Sequence, residues 1–368
     1  MDGHNTEPEP METEGSNQHR EDNINAVEQE MQHKKNVKPN KEKQRENTMT
    51  SGNLFITAFM GLLQDTSKEV ACHYMERVLH SIFFFGHINN PPITPDDFLP
   101  EGYIQKVKGR FPKPFKEYNT HLPHYTPYSI LLEYMTERME LENLDLLLKK
   151  LETVNKSLLK PKINNEDQFI ANDFAFTASA VTYCCVKDSN DAKVLKKAFG
   201  SSMSCKGKTQ RIIMIAISAL HVWDRAISYA VCCAGSSLPI TFPERVSCTT
   251  YSFKTRAKIP PCNKCFKMYN VNCDPEHEAH NRKEDWLYGN CAENESLSRL
   301  LHGDEDVRGE ICIIGSNGQK LMNRQDIVNK FKEEYEEKMK KKVKELITPF
   351  KFKLSKDQWD FFIPEQSL

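Results

Sequence analysis

The sequence predicts an α+β protein, with a mostly helical N-terminal region followed by a smaller α/β region. Three observations predict it. Apolar residues recur at helical spacing through two long stretches, 54–86 and 129–159. After Gly235 the texture turns β-branched and aromatic. Between Cys262 and Cys291, cysteines stand among Pro, Asn, Gly and charged residues, unlike Cys184, Cys185, Cys232 and Cys233. The expected organisation is a disordered tail over 1–50, a helical region over 51–235, a cysteine-rich α/β region over 236–322, and a charged helix with a C-terminal tail over 323–368.

Residues 1–50 are rich in Glu, Asn, Gln and Lys and nearly free of aromatic residues. Such a segment buries too little apolar surface to offset its ordering entropy. Its Lys-rich part, Lys34 to Arg45, reads first as a solvated tail and second as a localisation signal. From Leu54 to Gly86, Leu54, Ala58, Leu62 and Leu63, then Val70, Tyr74, Val78 and Ile82, step at helical spacing. Eight prolines between Asn89 and Pro127 exclude a long helix there. An irregular connection anchored by Phe98, Phe111 and Phe115 is expected instead.

Ser129 to Leu159 reads as one long amphipathic helix, with Leu141, Leu144, Leu148, Leu151 and Leu158 on one stripe and Pro161 as its stop. Its apolar stripe suits the protein's own core, or a partner's groove. Two more helices are expected near Glu166 to Val186 and Lys208 to Ala234, joined by a small polar linker from Gly200 to Gly207. The segment Leu238 to Ile259 and the run Glu310 to Ile314 read as strands, the second stopped at Gly315-Ser316-Asn317-Gly318. The last helix, about Asp326 to Leu346, places Glu ahead of Lys. It offers Glu334–Lys338 and Glu337–Lys341 as i,i+4 pairs on a solvated face.

Across the 368 residues, 50 basic side chains balance 51 acidic ones, for a formal net charge of -1. That balance carries no strong nucleic-acid signal and no attraction to an anionic membrane. The best apolar window, Ile212 to Ala234, is cut by His221, Asp224 and Arg225 and reads as a buried helix, not a membrane span. The N-terminus shows no secretory pattern. The expected location is cytoplasmic, with nuclear entry left open. Twelve cysteines are then expected as reduced thiols or metal ligands. Cys184, Cys185, Cys232 and Cys233 fall in apolar runs and read as helical core filler.

Cys262, Cys265 and Cys291 carry the chemistry. Pro260-Pro261-Cys262-Asn263-Lys264-Cys265 holds two thiols at the C-x-x-C spacing that lets one turn of chain reach one metal. Proline before it and Phe266, Met268 and Tyr269 after it suggest a helix starting at Cys262. Twenty-five residues after Cys265 comes Gly289-Asn290-Cys291-Ala292-Glu293, leading into Leu297, Leu300 and Leu301. Cys291 would stand at the first turn of that helix. A helix N-terminus favours thiolate, because its free N–H groups favour negative charge. Three thiolates leave a tetrahedral zinc one open position, the arrangement of a catalytic site.

Cys291-Ala292-Glu293 and Pro261-Cys262-Asn263-Lys264-Cys265 resemble the C-A-E and P-C-x-x-C motifs of the cytidine deaminase-like zinc superfamily, in reversed chain order. The resemblance covers about a fifth of the chain. It implies a deaminase-like α/β region and zinc held by Cys262, Cys265 and Cys291. It also implies Glu293 as the proton shuttle in hydrolytic deamination of a nucleobase or nucleotide-type substrate, with catalysis retained or lost. The second expectation is a non-enzymatic interaction protein with a structural zinc site. There Cys273 or His277 would add a fourth ligand to Cys262, Cys265 and Cys291. His277 and His280 after Cys262 and Cys265 nearly resemble a C₂H₂ finger, but the histidine pair is too closely spaced. Reduced cysteines in a polar loop, holding no metal, are the third. No P-loop, dinucleotide-binding or H-E-x-x-H motif is present.

Overall fold

A computed structural model describes residues 41–137, 144–158, 175–188, 193–278, 284–353 and 359–365. The chain is α+β, with helices leading and two mixed sheets following. The described residues from Arg45 onward fall in one compact unit. Most of the segment expected as a disordered tail lies outside the described residues, but helix begins at Lys41, inside it.

Helices α1 (Lys41–Leu62) and α2 (Lys68–His87) carry the predicted spacing. Ser67 caps α2, accepting from the Val70 N–H at 3.4 Å. The apolar positions of α2, from Val78 through Phe85, are buried. The proline-dense connection is more helical than expected. It holds α3 (Pro95–Phe98), α4 (Glu101–Arg110) and α5 (Pro112–Glu117). Proline begins two of them, where its missing N–H has no partner to lose. Of the expected anchors, Phe98 and Phe111 are buried. The Phe98 ring is wedged between α1 and α2, against Gly52 and Gly86, and a Cβ at either glycine would overlap it.

The helix expected over 129–159 is seen as α6 (Pro127–Glu137) and α7 (Leu144–Leu158); residues 138–143 and Pro161 lie outside the described residues. Its stripe packs inward, with Leu148, Leu151 and Leu158 buried.

The helix expected over 166–186 is corrected. Its described part forms strand β1 (Ala180–Lys187), which pairs antiparallel with β2 (Val194–Ser201). Val181 to Val186 are β-branched, aromatic or cysteine residues, and both faces of the strand are covered, so the run lacks polar alternation. The linker expected to start at Gly200 begins inside β2. Cys184 and Cys185 are thus strand residues, and Cys184 is bonded to Cys248 in a disulfide, not free.

The helix expected over 208–234 is two. Helix α8 (Lys208–Ile217) runs through a π turn at Ser218–Val222 to a break at Trp223. Helix α9 (Arg225–Cys232) starts afresh, capped by Asp224 Oδ1 on the Ala226 N–H at 2.9 Å. Asp224 is a better cap than an interior residue, and Arg324 pairs with it at 2.9 Å.

The predicted strands after Gly235 form β3 (Ile240–Thr241), β4 (Val246–Ser252) and β5 (Ala257–Ile259). Then come α10 (Asn263–Met268), β6 (Tyr269–Asn270), β7 (Asn272–Cys273), α11 (Ala292–Gly303) and α12 (Glu305–Glu310), followed by β8 (Cys312–Ile314) and β9 (Lys320–Asn323). One sheet runs β2-β1-β4-β5, with β7 also on β4; the other runs β6-β3-β8-β9. Helix α11 lies across β1 and β2. Gly200 permits this close approach, since a Cβ there would overlap the α11 backbone at Ser296 and Ala292.

The last helical stretch is α13 (Arg324–Phe331), a π turn at Lys332–Glu336 and α14 (Glu337–Ile347). The π turn inserts a residue into the helical repeat, and Lys340 pairs with Glu336 at 3.1 Å and Glu337 at 2.7 Å, a pattern different from the expected one. The stretch is not wholly solvated: Ile327, Phe331, Val343 and Ile347 are buried. None of the described helices is long and apolar enough to cross a membrane.

Candidate metal centre

The two cysteine motifs, 25 residues apart in sequence, meet at the starts of two helices. Cys262 is the N-cap of α10 and Cys291 the N-cap of α11, both in extended conformation. The sequence signals work as read. The Pro260-Pro261 pair keeps the chain extended before α10, and Gly289, at φ 88, turns it into α11. A Cβ at Gly289 would crowd Ile215.

The Sγ atoms of Cys262, Cys265 and Cys291 all lie within 4.8 Å of one another, and those of Cys262 and Cys291 are 3.5 Å apart. The three form a group able to hold a metal ion. Cys265 is buried; Cys262 and Cys291 are half-buried. As thiols they share protons. The hydrogen bonds from Cys265 and Cys291 hold Cys262 well below the usual thiol range. The contact with Cys262, together with burial, raises Cys265 and Cys291. Three thiolates this close repel one another unless a cation stands among them.

Glu293 sits on the first turn of α11 and is 6% exposed. Burial first, then the charge on Cys262, pushes its carboxyl up to about 7. Its Oε1 accepts from Thr250 Oγ1 on β4 at 3.1 Å. Thr250 in turn lies 2.8 Å from Thr182 on β1. Asn294 fastens the helix start. Its Nδ2 donates to the Cys291 carbonyl at 2.8 Å, and its Oδ1 accepts from the buried Tyr269 hydroxyl at 2.7 Å.

The other helix start is held by Glu284. Its carboxylate accepts from the backbone N–H groups of Asn263, at 2.8 Å, and Lys264, at 3.2 Å. Lys264 donates back to the carbonyls of Glu284 and Trp286, closing the loop against α10.

Glu293 and Cys265 line a cleft of about 370 Å³, with Phe266, Tyr269, Asn272, Cys273 and His277 among its walls. The His277 ring stacks on Phe266 at 4.0 Å, and its Nδ1–H donates to the Pro261 carbonyl at 2.9 Å. Burial and the Glu293 charge push the Cys273 thiol up to about 12. Cys273 and His277 line this cleft, but among the described residues the metal-competent group is Cys262, Cys265 and Cys291. His280 lies outside the described residues.

Sequence reasoning thus found the three cysteines and Glu293, and the structure brings them together. It missed Thr182, Thr250, Tyr269, Asn294 and Glu284, which orient them. The sequence marks Thr250 and Tyr269 only as strand and helix residues. Asn294, three residues after an N-cap, is the one with a local signal, since a polar side chain there reaches back to the cap. Comparison of the chain with family models, with curated proteins and with solved structures gives no match.

Proposed function

We propose that Cys262, Cys265 and Cys291 hold a zinc ion and that Glu293 serves as the proton carrier of a hydrolytic deamination on a nucleobase or nucleotide-type amidine. The donor chemistry fits. Zinc–sulfur bonds of about 2.3 Å in a tetrahedron set sulfurs about 3.8 Å apart, near the spacing of the three sulfurs here. Three protein ligands leave the fourth position free, which separates catalytic zinc sites from structural ones.

Zinc, when bound, supplies the Lewis acidity that makes water a nucleophile at neutral pH. The chain's own residues do the rest. Glu293 takes a proton from the attacking water and delivers it to the departing amine, so that water and an amidine give a carbonyl and ammonia. Thr250 fixes the Glu293 carboxylate through its hydrogen bond. The stacked Phe266 and His277 rings form a flat apolar wall suited to a planar heterocycle. The observation that carries this reading is the placement of Glu293 beside Cys265 in one cleft, two residues from Cys291 at the start of α11.

The second reading is a structural zinc site in an interaction protein. It is favoured by Cys273 and His277 lining the same cleft as Cys265, where either offers a fourth ligand atom. The test compares Glu293→Gln with the parent protein on a panel of nucleobases, nucleosides and nucleotides, following ammonia release and bound zinc. The deaminase reading requires that the variant keep its zinc and lose turnover. Zinc-loaded parent protein that releases no ammonia from any of the panel, with a protein atom as fourth ligand by X-ray absorption, leaves the structural reading.

A further inference from the structure

Three cysteines stand side by side across the first sheet, and only two of them are bonded. Strand β1 pairs with β4 so that Cys184 lies opposite Cys248. Strand β7 pairs with the other side of β4 so that Cys248 lies opposite Cys273. Directly paired residues share a face of the sheet. All three cysteines accordingly pack in the same apolar cluster. Cys184 and Cys248 are bonded to each other and fully buried, with Cα atoms 4.2 Å apart. Cys273 is half-buried and lines the cleft.

We propose that Cys184, Cys248 and Cys273 form a thiol–disulfide exchange row, in which Cys273 connects the buried disulfide to small thiols entering the cleft. Exchange at sulfur needs the attacking thiolate opposite the leaving sulfur. The strand order provides that alignment, because β1 and β7 flank β4 on opposite sides. In the step, the minor thiolate form of Cys273, its proton given to solvent, bonds through Sγ to Cys248 Sγ. The Cys184–Cys248 bond breaks, and Cys184 leaves as thiolate and takes a proton back. No oxidant or reductant is consumed.

Ser296 stands beside the leaving group, its Oγ 3.2 Å from Cys184 Sγ, where its hydroxyl can donate to the departing thiolate. Reduction then proceeds from the cleft. A small thiol such as glutathione attacks Cys273 in the new bond and releases Cys248 as a thiol. A second glutathione takes the first away as its own disulfide, leaving both cysteines reduced. The row would give the cleft wall two bonding states, β7 free or β7 tied to β4. This inference does not rest on zinc or on deamination.

The full-length protein is incubated with a glutathione redox buffer at mildly alkaline pH, quenched in acid, alkylated, and mapped by mass spectrometry of non-reduced peptides. The expected result is a mixture of Cys184–Cys248 and Cys248–Cys273 linked peptides. In Cys184→Ser, oxidised glutathione should yield the Cys248–Cys273 link alone. In Cys273→Ser, reduction of Cys184–Cys248 by glutathione should slow by about tenfold or more, because direct access to a buried disulfide is lost. Wild-type protein that never forms the Cys248–Cys273 link under any glutathione ratio overturns the proposal, whatever the folding of the variants. So does a Cys273→Ser protein, folded by circular dichroism, whose disulfide is reduced as fast as wild type.

Discussion

Thr250 Oγ1 donates to Glu293 Oε1 at 3.1 Å, joining the middle of a strand to the first turn of a helix. Glu293 is buried, so its carboxylate depends on this partner for orientation. Thr250→Val removes the hydroxyl at constant shape and leaves the carboxylate short of a donor. The expected cost is about 1–3 kcal/mol in unfolding free energy, with the three-cysteine group undisturbed. Chemical denaturation with zinc titration on the same variant checks both. An unchanged midpoint would show that Thr250 merely neighbours Glu293.

Removing the metal should matter to the whole unit, because the cysteine group ties the starts of α10 and α11 across a loop of 25 residues. A ligand bound only to the folded state, at a thousandfold excess over its dissociation constant, adds about 4 kcal/mol. Protein purified with zinc and then stripped by a chelator is therefore expected to melt several degrees lower and to recover on adding zinc back. Cys262→Ser or Cys265→Ser should melt low with or without zinc. If stripping leaves the melting temperature where it was, the three sulfurs hold no stabilising ion.

What the sequence revealed at this site follows how local each signal is. Cys262, Cys265, Cys291 and Glu293 announce themselves through neighbours within five residues: prolines before one helix, Gly289 and Asn290 before the other. Thr182 and Cys184 could not, because what they do depends on register with β4, more than sixty residues on. The run Val181 to Val186 is short and lacks polar alternation, and a buried strand and a buried helix read alike over so few residues. Misreading that run as helix hid both the Thr182–Thr250 contact and the Cys184–Cys248 bond. The π turn at Lys332–Glu336 is of the same kind, since it leaves no mark in composition.

Gly200 makes a sharper test of how α11 is seated. A Cβ there would overlap the backbone of Ser296 and Ala292, and backbone cannot swing aside. Gly200→Ala should push α11 off β2 and cost about 1–3 kcal/mol, the usual range for overpacking. The displaced helix carries Cys291 and Glu293, so zinc affinity should fall with stability. Isothermal titration and thermal melting read the two effects separately. Full stability with normal zinc binding would mean that α11 rides further from the sheet than its contacts here indicate.

His80 sets an acid limit on the fold. It is 1% exposed on α2, stacked on Phe362 at 4.1 Å, with Nε2 at 3.4 Å from the Glu117 carbonyl. Burial drives its pKa from the ordinary 6.5 down to about 3, against the smaller upward pull of that carbonyl. The folded form therefore holds the ring neutral, whereas the unfolded chain protonates it near pH 6.5. Stability is fully present above that pH and is lost as pH falls from 6.5 towards 3, because the unfolded chain binds the extra proton. Each pH unit in that window costs about 1.4 kcal/mol from this one group. His80→Phe keeps a flat ring against Phe362 and removes the proton site. The variant should show a shallower loss of stability than the parent between pH 6 and pH 4, measured by urea unfolding at each pH. Equal slopes in the two proteins would mean that other groups, such as the ion-paired Glu133, set the acid limit instead.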